Sequence, residues 1–438
     1  MKLLKGLTVL LVVTLIAFFA AGCGGKSPQQ SSETPKGGES SEPAKEVVIG
    51  YTGPLSGVGA QYGQDCLNGI DMAINDINEA GGITVNGQKY LFKLEKLDDM
   101  IDPTQAVNNA RRFRDQYNAP AVFNPVFNTI GPIMEINQEP GNEFIVMAYS
   151  STPKIDELNN ELTVSIPPPF TAYCHAFSDV AWQQGWRKAA MVMTLGAYGD
   201  EWREAFKEYW VHELGGELTA DQPANYYTET DFSSQLTAAL AGKPDVLAIG
   251  GPSSSTGLVI EQARTLGFKG GFILIDQAKM DYIVDEVFGG STDLMENVIG
   301  VAAVADVPTD MAPVFDKRYG EKYKVHNTWE AVLNYSAMHA LARAMEEAGT
   351  VEDVRAIRAA FSKVFPLTGD KYPAECFGIK EIGRMLFPAT VQMIKNGKYQ
   401  EVNSYIYWTK TEEELNKVKE KMTTSNPVKM MPLENYID

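Results

Sequence analysis

The body of the chain alternates short apolar segments with longer amphipathic ones. Residues 46–51, 121–123 and 144–147 are almost continuously apolar, a pattern typical of strands that are buried on both faces of a sheet. Apolar residues recur at helical spacing over residues 63–80, which end at two glycines, and over residues 103–117, which begin with a proline that suits a first helical turn. This order of strands and helices predicts a parallel sheet covered by helices.

A second unit of the same kind follows residues 165–170, where three consecutive prolines interrupt the pattern. Strands are predicted at 189–193, 246–250 and 272–275, with helices at 200–214, 233–240 and 256–266. Further on, we predict a strand at 298–305, helices at 311–323, 329–347 and 351–361, a β-hairpin over 387–408 and a charged helix at 412–421. A folded body of about 390 residues exceeds a comfortable single core, so we expect two lobes.

The first residues carry the pattern of a secretion signal. Lys2 and Lys5 precede an apolar run at residues 7–21, which ends in small residues before Cys23. A retained transmembrane helix is the alternative, but the run is at the short end of the roughly 17–25 residues that a membrane span needs. We therefore predict a cleaved lipoprotein signal peptide at residues 1–22.

The residues before Cys23 resemble the lipobox of bacterial lipoproteins, and this resemblance implies that Cys23 becomes the acylated N-terminus of the mature protein. A cysteine that lies near an ordinary cleavage site by chance is the alternative. Residues 23–45 contain almost no apolar side chains after the cysteine, so they cannot bury enough surface to fold. We expect a flexible linker that anchors a secreted protein to the outer face of the cytoplasmic membrane.

Charge and cysteine content limit the partners and the chemistry. The formal net charge is −18, and it becomes about −20 without residues 1–22, which contain two lysines and no acids. A body of this charge argues against nucleic acid as a partner. Cys66, Cys174 and Cys376 are too few and too widely spaced for a disulfide framework or a zinc motif. We expect them to be buried thiols.

Several segments together resemble the leucine/isoleucine/valine-binding protein family, the type I periplasmic solute-binding proteins of ABC transporters. They are VIGYTGPLSG at residues 48–57, AQYG at 60–63, INEAGGI at 77–83, the acidic DDMIDP at 98–103 and NGK at 396–398. The resemblance implies an α/β fold of two Rossmann-like lobes with parallel sheets, joined by a hinge of three crossovers near Ile166, Val301 and Leu367. It also implies a first lobe of residues 46–165 plus 301–366, and a second lobe of residues 166–300 plus 367–438.

Ligands of open parallel sheets bind beyond the carboxyl ends of the strands. Four loops at such positions are rich in hydroxyl, amide or aromatic side chains, namely residues 61–62, 127–129, 150–152 and 253–255. Helix capping is the ordinary explanation for any one of them. By resemblance to the family, the ligand-binding positions are Tyr62, Asn128, Thr129, Ser150, Thr152, Tyr198, Ser253 and Gln277, and we add their neighbours Phe127, Ser151, Ser254 and Asp276.

Two departures from the family bear on the ligand. Family members that bind amino acids resemble one another in a small serine-rich loop that holds the solute carboxylate. This chain has Phe127 in that loop, which we expect to narrow or flatten the pocket. The family's acidic partner for the ligand amine falls at Asp276 or Gln277, and both alignments stay open. If Gln277 faces the ligand, a plain α-amino acid becomes doubtful, and an aromatic or other carboxylate or a neutral polar solute is favoured.

No catalytic or cofactor motif emerges from the sequence. Gly57, Gly59 and Gly63 miss the dinucleotide fingerprint by one position, and the four histidines have no metal-ligand spacing. We therefore expect no enzyme activity, cofactor or metal. The expected partners are a small solute and the permease subunits of an ABC transporter, and the expected oligomeric state is a monomer. A ligand-sensing receptor of the same fold, acting in signalling rather than transport, is the alternative function.

Overall fold

The computed structural model describes residues 43–437, apart from the side chain of Val58. The predicted signal peptide, Cys23 and the linker up to residue 42 lie outside these residues. Within residues 43–437, the helices are too short or too polar to cross a bilayer. The structure is built on two β-sheets with helices packed against them.

The first sheet has six strands in the order β2-β3-β1-β4-β5-β6. They are β1 (Lys45–Gly53), β2 (Ile83–Val85), β3 (Gln88–Asp98), β4 (Ala121–Asn124), β5 (Ile145–Ala148) and β6 (Thr163–Ser165). All neighbours are parallel except β2 and β3. Asn86 and Gly87 join these two strands with positive φ angles of 50° and 83°, as a two-residue hairpin turn requires.

The second sheet has nine strands in the order β15-β14-β12-β11-β10-β9-β7-β8, with β13 paired to β12. They are β7 (Lys188–Met193), β8 (Glu217–Asp221), β9 (Val246–Gly250), β10 (Gly271–Leu274), β11 (Val298–Val301), β12 (Ala389–Lys395), β13 (Lys398–Tyr399), β14 (Asn403–Ile406) and β15 (Val428–Met430). Strands β7 to β11 are parallel, and β12 runs antiparallel to β11.

The helices cover both sheets. They are α1 (Ala60–Glu79), α2 (Pro103–Tyr117), α3 (Phe127–Met134), α4 (Lys154–Glu157), α5 (Phe170–Gln183), α6 (Ala197–Lys207), α7 (Ser233–Leu240), α8 (Ser253–Thr265), α9 (Met280–Tyr282), α10 (Ala312–Tyr323), α11 (Trp329–Ala348), α12 (Val354–Ala360) and α13 (Glu412–Lys419). Short π-helical turns at Glu208–Glu213 and Ile283–Val287 extend α6 and α9. We call the six-stranded sheet and its helices the first lobe, and the nine-stranded sheet and its helices the second lobe.

The close packing of α1 against α11 builds the core of the first lobe. Cys66, Ile70 and Ile74 are buried on α1, in agreement with the predicted apolar face. A Cβ atom on Gly69 would lie 2.1 Å from the carbonyl oxygen of Ala331, so only glycine allows this approach of the two helices.

The prediction of two α/β lobes is confirmed, with one correction. We expected parallel sheets, and both are mostly parallel, but each is mixed, because β2 and β3 form a hairpin and β12 runs antiparallel to both β11 and β14. The chain passes between the sheets after Ser165 and after Val301, and returns to the nine-stranded sheet at Ala389. The stretch before Ala389 also contacts the first lobe, since Arg384 pairs with Ser165. The lobe boundaries stay a prediction.

Candidate functional site

The twelve predicted ligand-binding residues all follow the carboxyl ends of parallel strands. Tyr62 lies in the first turn of α1, after β1, and residues 150–152 follow β5. In the second lobe, Tyr198 lies in the first turn of α6, and residues 276–277 follow β10. Parallel strands of each sheet end at one edge, so these loops share that edge. The remaining predicted positions are at the starts of α3 and α8.

Two side-chain hydrogen bonds hold the Asp276 carboxylate at this edge of the second lobe. It accepts hydrogen bonds from the Tyr198 hydroxyl and from Trp202 Nε1, the latter at 2.8 Å. Phe170 stacks on Trp202 with ring centroids 5.3 Å apart and fixes the indole. Burial, followed by the charge of Asp276, raises the pKa of Tyr198 well above its usual value. The phenol therefore stays protonated and acts as a donor to the carboxylate.

The first lobe contributes two neighbouring tyrosines, Tyr62 and Tyr149. The Tyr62 hydroxyl lies 3.5 Å from the Tyr149 carbonyl oxygen, and the two rings are 6.1 Å apart between centroids. Burial raises the pKa of Tyr62 well above its usual value, and the charges of Glu330 and Asp276 add to this effect. The Tyr62 phenol therefore stays protonated at neutral pH.

The loop at residues 150–152 contacts the second lobe directly. The Thr152 hydroxyl donates to Glu201 Oε2 on α6 at 2.6 Å, and Lys154 Nζ lies 2.9 Å from Glu201 Oε1. The Ser151 side chain lies beside the Tyr198 phenol. We call the space at which these loops of the two lobes meet the cleft.

A buried ion pair also joins the lobes. Lys279 Nζ, in the loop after β10, lies 3.0 Å from Glu330 Oε1 in the first turn of α11, and the two side chains are only 8% and 5% exposed. The charge of Glu330 contributes to the raised pKa of Tyr62 and of Tyr149, after burial. Lys279 Nζ also donates to the Asp276 carbonyl oxygen, so the pair adjoins the loop that carries Asp276.

Other predicted residues serve the fold or face solvent. The Thr129 hydroxyl is buried and donates within its own loop, 2.8 Å from Asn124 Oδ1. Asn128 and Ser254 are exposed. Phe127 is partly buried and packs against the buried cluster beneath α2 and α3, and the pocket-narrowing role that we expected for it stays a prediction.

Of the two alternatives after β10, Asp276 is the residue that contacts Tyr198. The Gln277 amide nitrogen instead lies 3.5 Å from the Tyr227 hydroxyl. Ser253, whose hydroxyl accepts from the backbone N–H of Lys279 at 3.0 Å, holds the loop that carries these residues. The geometry thus pairs Asp276 with Tyr198, the predicted ligand-binding tyrosine of the same lobe.

Sequence reasoning missed four cleft side chains. Trp202 and Glu201 lie one turn after Tyr198 on α6, where helical spacing from a predicted position could have found them. Lys279 and Glu330 gave no signal, because they are 51 residues apart and each resembles an ordinary surface charge.

Residues 46–398 match the model of the family described as periplasmic binding protein. This match spans most of the chain, and the protein belongs to the periplasmic binding protein family. The resemblance to its leucine/isoleucine/valine-binding members is thereby confirmed. Members of this family bind solutes outside the cytoplasm.

Curated relatives and solved structures agree with this assignment. An amino acid binding protein from Pseudomonas aeruginosa is 27% identical over 332 residues, which cover 73% of this chain and 83% of the relative. The Leu/Ile/Val-binding protein BraC3 from Rhizobium johnstonii is 26% identical over 332 residues, 72% of this chain and 83% of the relative.

Among solved structures, the leucine-binding protein LivK from Thermotoga maritima has a TM-score of 0.68 at 24% identity, over 81% of this chain and 98% of that chain. The transporter substrate-binding protein LivJ from Streptococcus pneumoniae, in complex with isoleucine, has a TM-score of 0.69 at 19% identity, over 82% and 99%. These likenesses show the type I fold of two α/β lobes.

Proposed function

We propose that the protein is the lipid-anchored solute-binding component of an ABC uptake system, and that it binds an amino acid in the cleft. The observation that carries this proposal is the Asp276 carboxylate, which Tyr198 and Trp202 hold where the two lobes meet. Both curated relatives described above are named for binding amino acids. Cys23 and the linker of residues 23–45 keep the protein at the outer face of the cytoplasmic membrane, where it delivers its solute to permease subunits.

The position of Asp276 favours a solute with an ammonium group. A buried carboxylate without a counter-charge is costly, and a solute ammonium would supply that charge. An aromatic carboxylate without an amine would instead add a second anion beside Asp276. The amine-free solutes that the sequence left open are therefore disfavoured. The Thr152 hydroxyl already donates to Glu201 and the Ser151 side chain contacts Tyr198, so we assign the solute carboxylate to the Ser150 hydroxyl.

The solute should favour the closed arrangement of the lobes, because its contacts come from both. Tyr62 and residues 150–152 belong to the first lobe, whereas Tyr198 and Asp276 belong to the second. A ligand shifts a conformational equilibrium by its differential affinity for the two states. This behaviour suits a receptor that presents its ligand to a transporter.

A thermal-shift screen of the full chain against single amino acids tests the proposal. A solute at a hundred times its dissociation constant stabilises the folded state by about 2.7 kcal/mol. Asp276→Asn keeps the acceptor for Tyr198 but removes the charge, and it should weaken binding at least tenfold by calorimetry, roughly the effect of losing a charged hydrogen bond. Asp231→Asn, at an exposed position in the same lobe, makes the same charge change and should leave affinity unchanged. Equal affinity in wild type and Asp276→Asn would contradict the proposal.

A further inference from the structure

The buried Lys279–Glu330 pair raises a question of selectivity that the proposed function leaves open. Its two charges come from different lobes, and Lys279 Nζ also donates to the carbonyl oxygen of Asp276 in the cleft loop. The sign and the number of charges in a closed cleft decide which solutes can bind there without leaving a charge of the protein or of the solute unpaired. The inference below rests on the proposed function, because it concerns the same cleft.

The Lys279 ammonium is fully occupied. Besides Glu330, it donates to the carbonyl oxygens of Asp276 and Gln277, at 2.5 and 3.3 Å, and an ammonium has three donors. The Lys279 backbone is also fixed, since its N–H donates to Ser253 Oγ. A solute carboxylate would have to break one of these contacts to bind the lysine. Lys279 is therefore placed as an internal counter-charge rather than as a solute ligand.

Glu330 needs that counter-charge. Its neighbour Asp65 is another buried acid, which accepts hydrogen bonds from Tyr319 and Thr328. Burial, followed by the charge of Glu330, raises the pKa of Asp65 to about 7. With Lys279 in place, the Glu330 charge is balanced within the protein, and Asp276 is left as the carboxylate that faces the solute.

We propose that Lys279 is a specificity-determining residue, which neutralises Glu330 so that the cleft accepts solutes with one ammonium group and rejects solutes with two. A second ammonium on the solute would be repelled by the Lys279 ammonium. It would also have to compete with Lys279 for the Glu330 carboxylate. Replacing Lys279 by an uncharged residue exposes Glu330 as a second anion, and the cleft then favours dicationic solutes.

The test uses three matched pairs of probes that differ by a side-chain ammonium: norvaline and ornithine, norleucine and lysine, 4-methylphenylalanine and 4-aminomethyl-phenylalanine. Affinities of the full chain for all six are measured by calorimetry. Wild type should prefer the neutral member of any pair that binds. Lys279→Met should shift the ratio of affinities towards the dicationic member by roughly tenfold or more, as expected for exposure of one buried unpaired charge.

Two further variants separate selectivity from damage to the fold. Lys279→Met/Glu330→Gln removes both charges, and it should return the ratio to the wild-type preference, which a purely structural loss would not do. If Lys279→Met does not fold, the ratio of affinities is measured on the double variant instead. The double variant should still prefer the neutral probes. Lys322→Met removes a lysine from an exposed pair with Asp71 on the outer face and should leave the ratio unchanged.

The outcomes distinguish the two proposals. If wild type binds none of the three neutral probes, the role of Lys279 is wrong, and the amino acid function is wrong as well only if no amino acid stabilises the protein in the thermal-shift screen. If wild type binds them but prefers the dicationic members, or if the ratio is the same in wild type and Lys279→Met, the role of Lys279 is wrong while the function stands. A double variant that has lost the preference for neutral probes would also overturn the inference.

Discussion

Arg384 offers a sharp test of how the cleft loop is held in place. Its side chain is fully buried, and its guanidinium donates to the carbonyl oxygens of Ser150, Pro167 and Thr152 at 2.8 to 3.1 Å. It also donates twice to Asp156 Oδ2, at 3.1 and 2.9 Å. All five N–H groups of the guanidinium are thus used. We predict that Arg384→Met destabilises the fold strongly.

The expected magnitude follows from the burial of the pair. In the variant, the Asp156 carboxylate would keep only the hydroxyl donors Ser165 and Tyr436. Removal of one partner of a buried ion pair costs roughly 3–5 kcal/mol, mostly because a charge is left without compensation. We therefore expect the free energy of unfolding to fall by about 3–5 kcal/mol. Arg384→Met/Asp156→Asn should recover part of this loss, because no buried charge remains.

Urea unfolding of the full chain, followed by tryptophan fluorescence, measures the effect. Arg355→Met is the matched control, because Arg355 pairs with Glu161 at 3.0 Å but the side chains are 52% and 75% exposed. An exposed pair of this kind contributes less than about 1 kcal/mol. The reasoning is refuted if the two arginine variants lose similar stability, or if the double variant is less stable than Arg384→Met.

Further predictions concern the anchor, a buried acid, a helix contact and the lobes. Cys23→Ser should abolish labelling with a clickable fatty acid and release the protein from membranes, and an unlabelled wild type would count against a lipid anchor. Because the pKa of Asp65 is raised from 3.8 to about 7, the folded state keeps a proton that the unfolded state releases, and stability falls as pH rises from about 4 through about 7. Asp65→Asn should remove this fall in urea titrations at several pH values, and a parallel decline in both proteins would contradict it. Gly69→Ala should lower the melting temperature through its clash with α11, whereas Gly320→Ala on α10, where a Cβ meets open space, should preserve or raise it. A bound amino acid should reduce the radius of gyration in small-angle scattering, and an unchanged radius would argue against closure.

Local chemistry made much of the fold predictable. The Asn-Gly pair at residues 396–397 predicted a hairpin, and its positive φ angles of 54° and 68° confirm it. The same pair at residues 86–87 carries the same signal, but β2 is only three residues long and was missed. Helix α5 was missed for a different reason. It is buried on most sides, so it lacks the polar face that makes a helix visible in a sequence.

The sequence predicts the site residues that follow the ends of strands. It does not predict the contacts between side chains that are distant in sequence. Tyr198 and Asp276 follow strands, and the fold class alone locates such residues. The orientation of Asp276 towards Tyr198 depends on backbone geometry within a loop, which apolar periodicity does not encode. Glu201 meets Thr152 across 49 residues of sequence, and only the folded chain brings them together.

The two ion pairs across the cleft have opposite polarity. The first lobe supplies the cation in the Lys154–Glu201 pair, and the second lobe supplies it in the Lys279–Glu330 pair. A closing rotation that exchanged the two contacts would set lysine against lysine and glutamate against glutamate. The four charges therefore favour one relative orientation of the two lobes in the closed state. Since Lys154 is 51% exposed, salt weakens that contact over a screening length of about 10 Å at 0.1 M, while the enclosed pair keeps the alignment at high ionic strength.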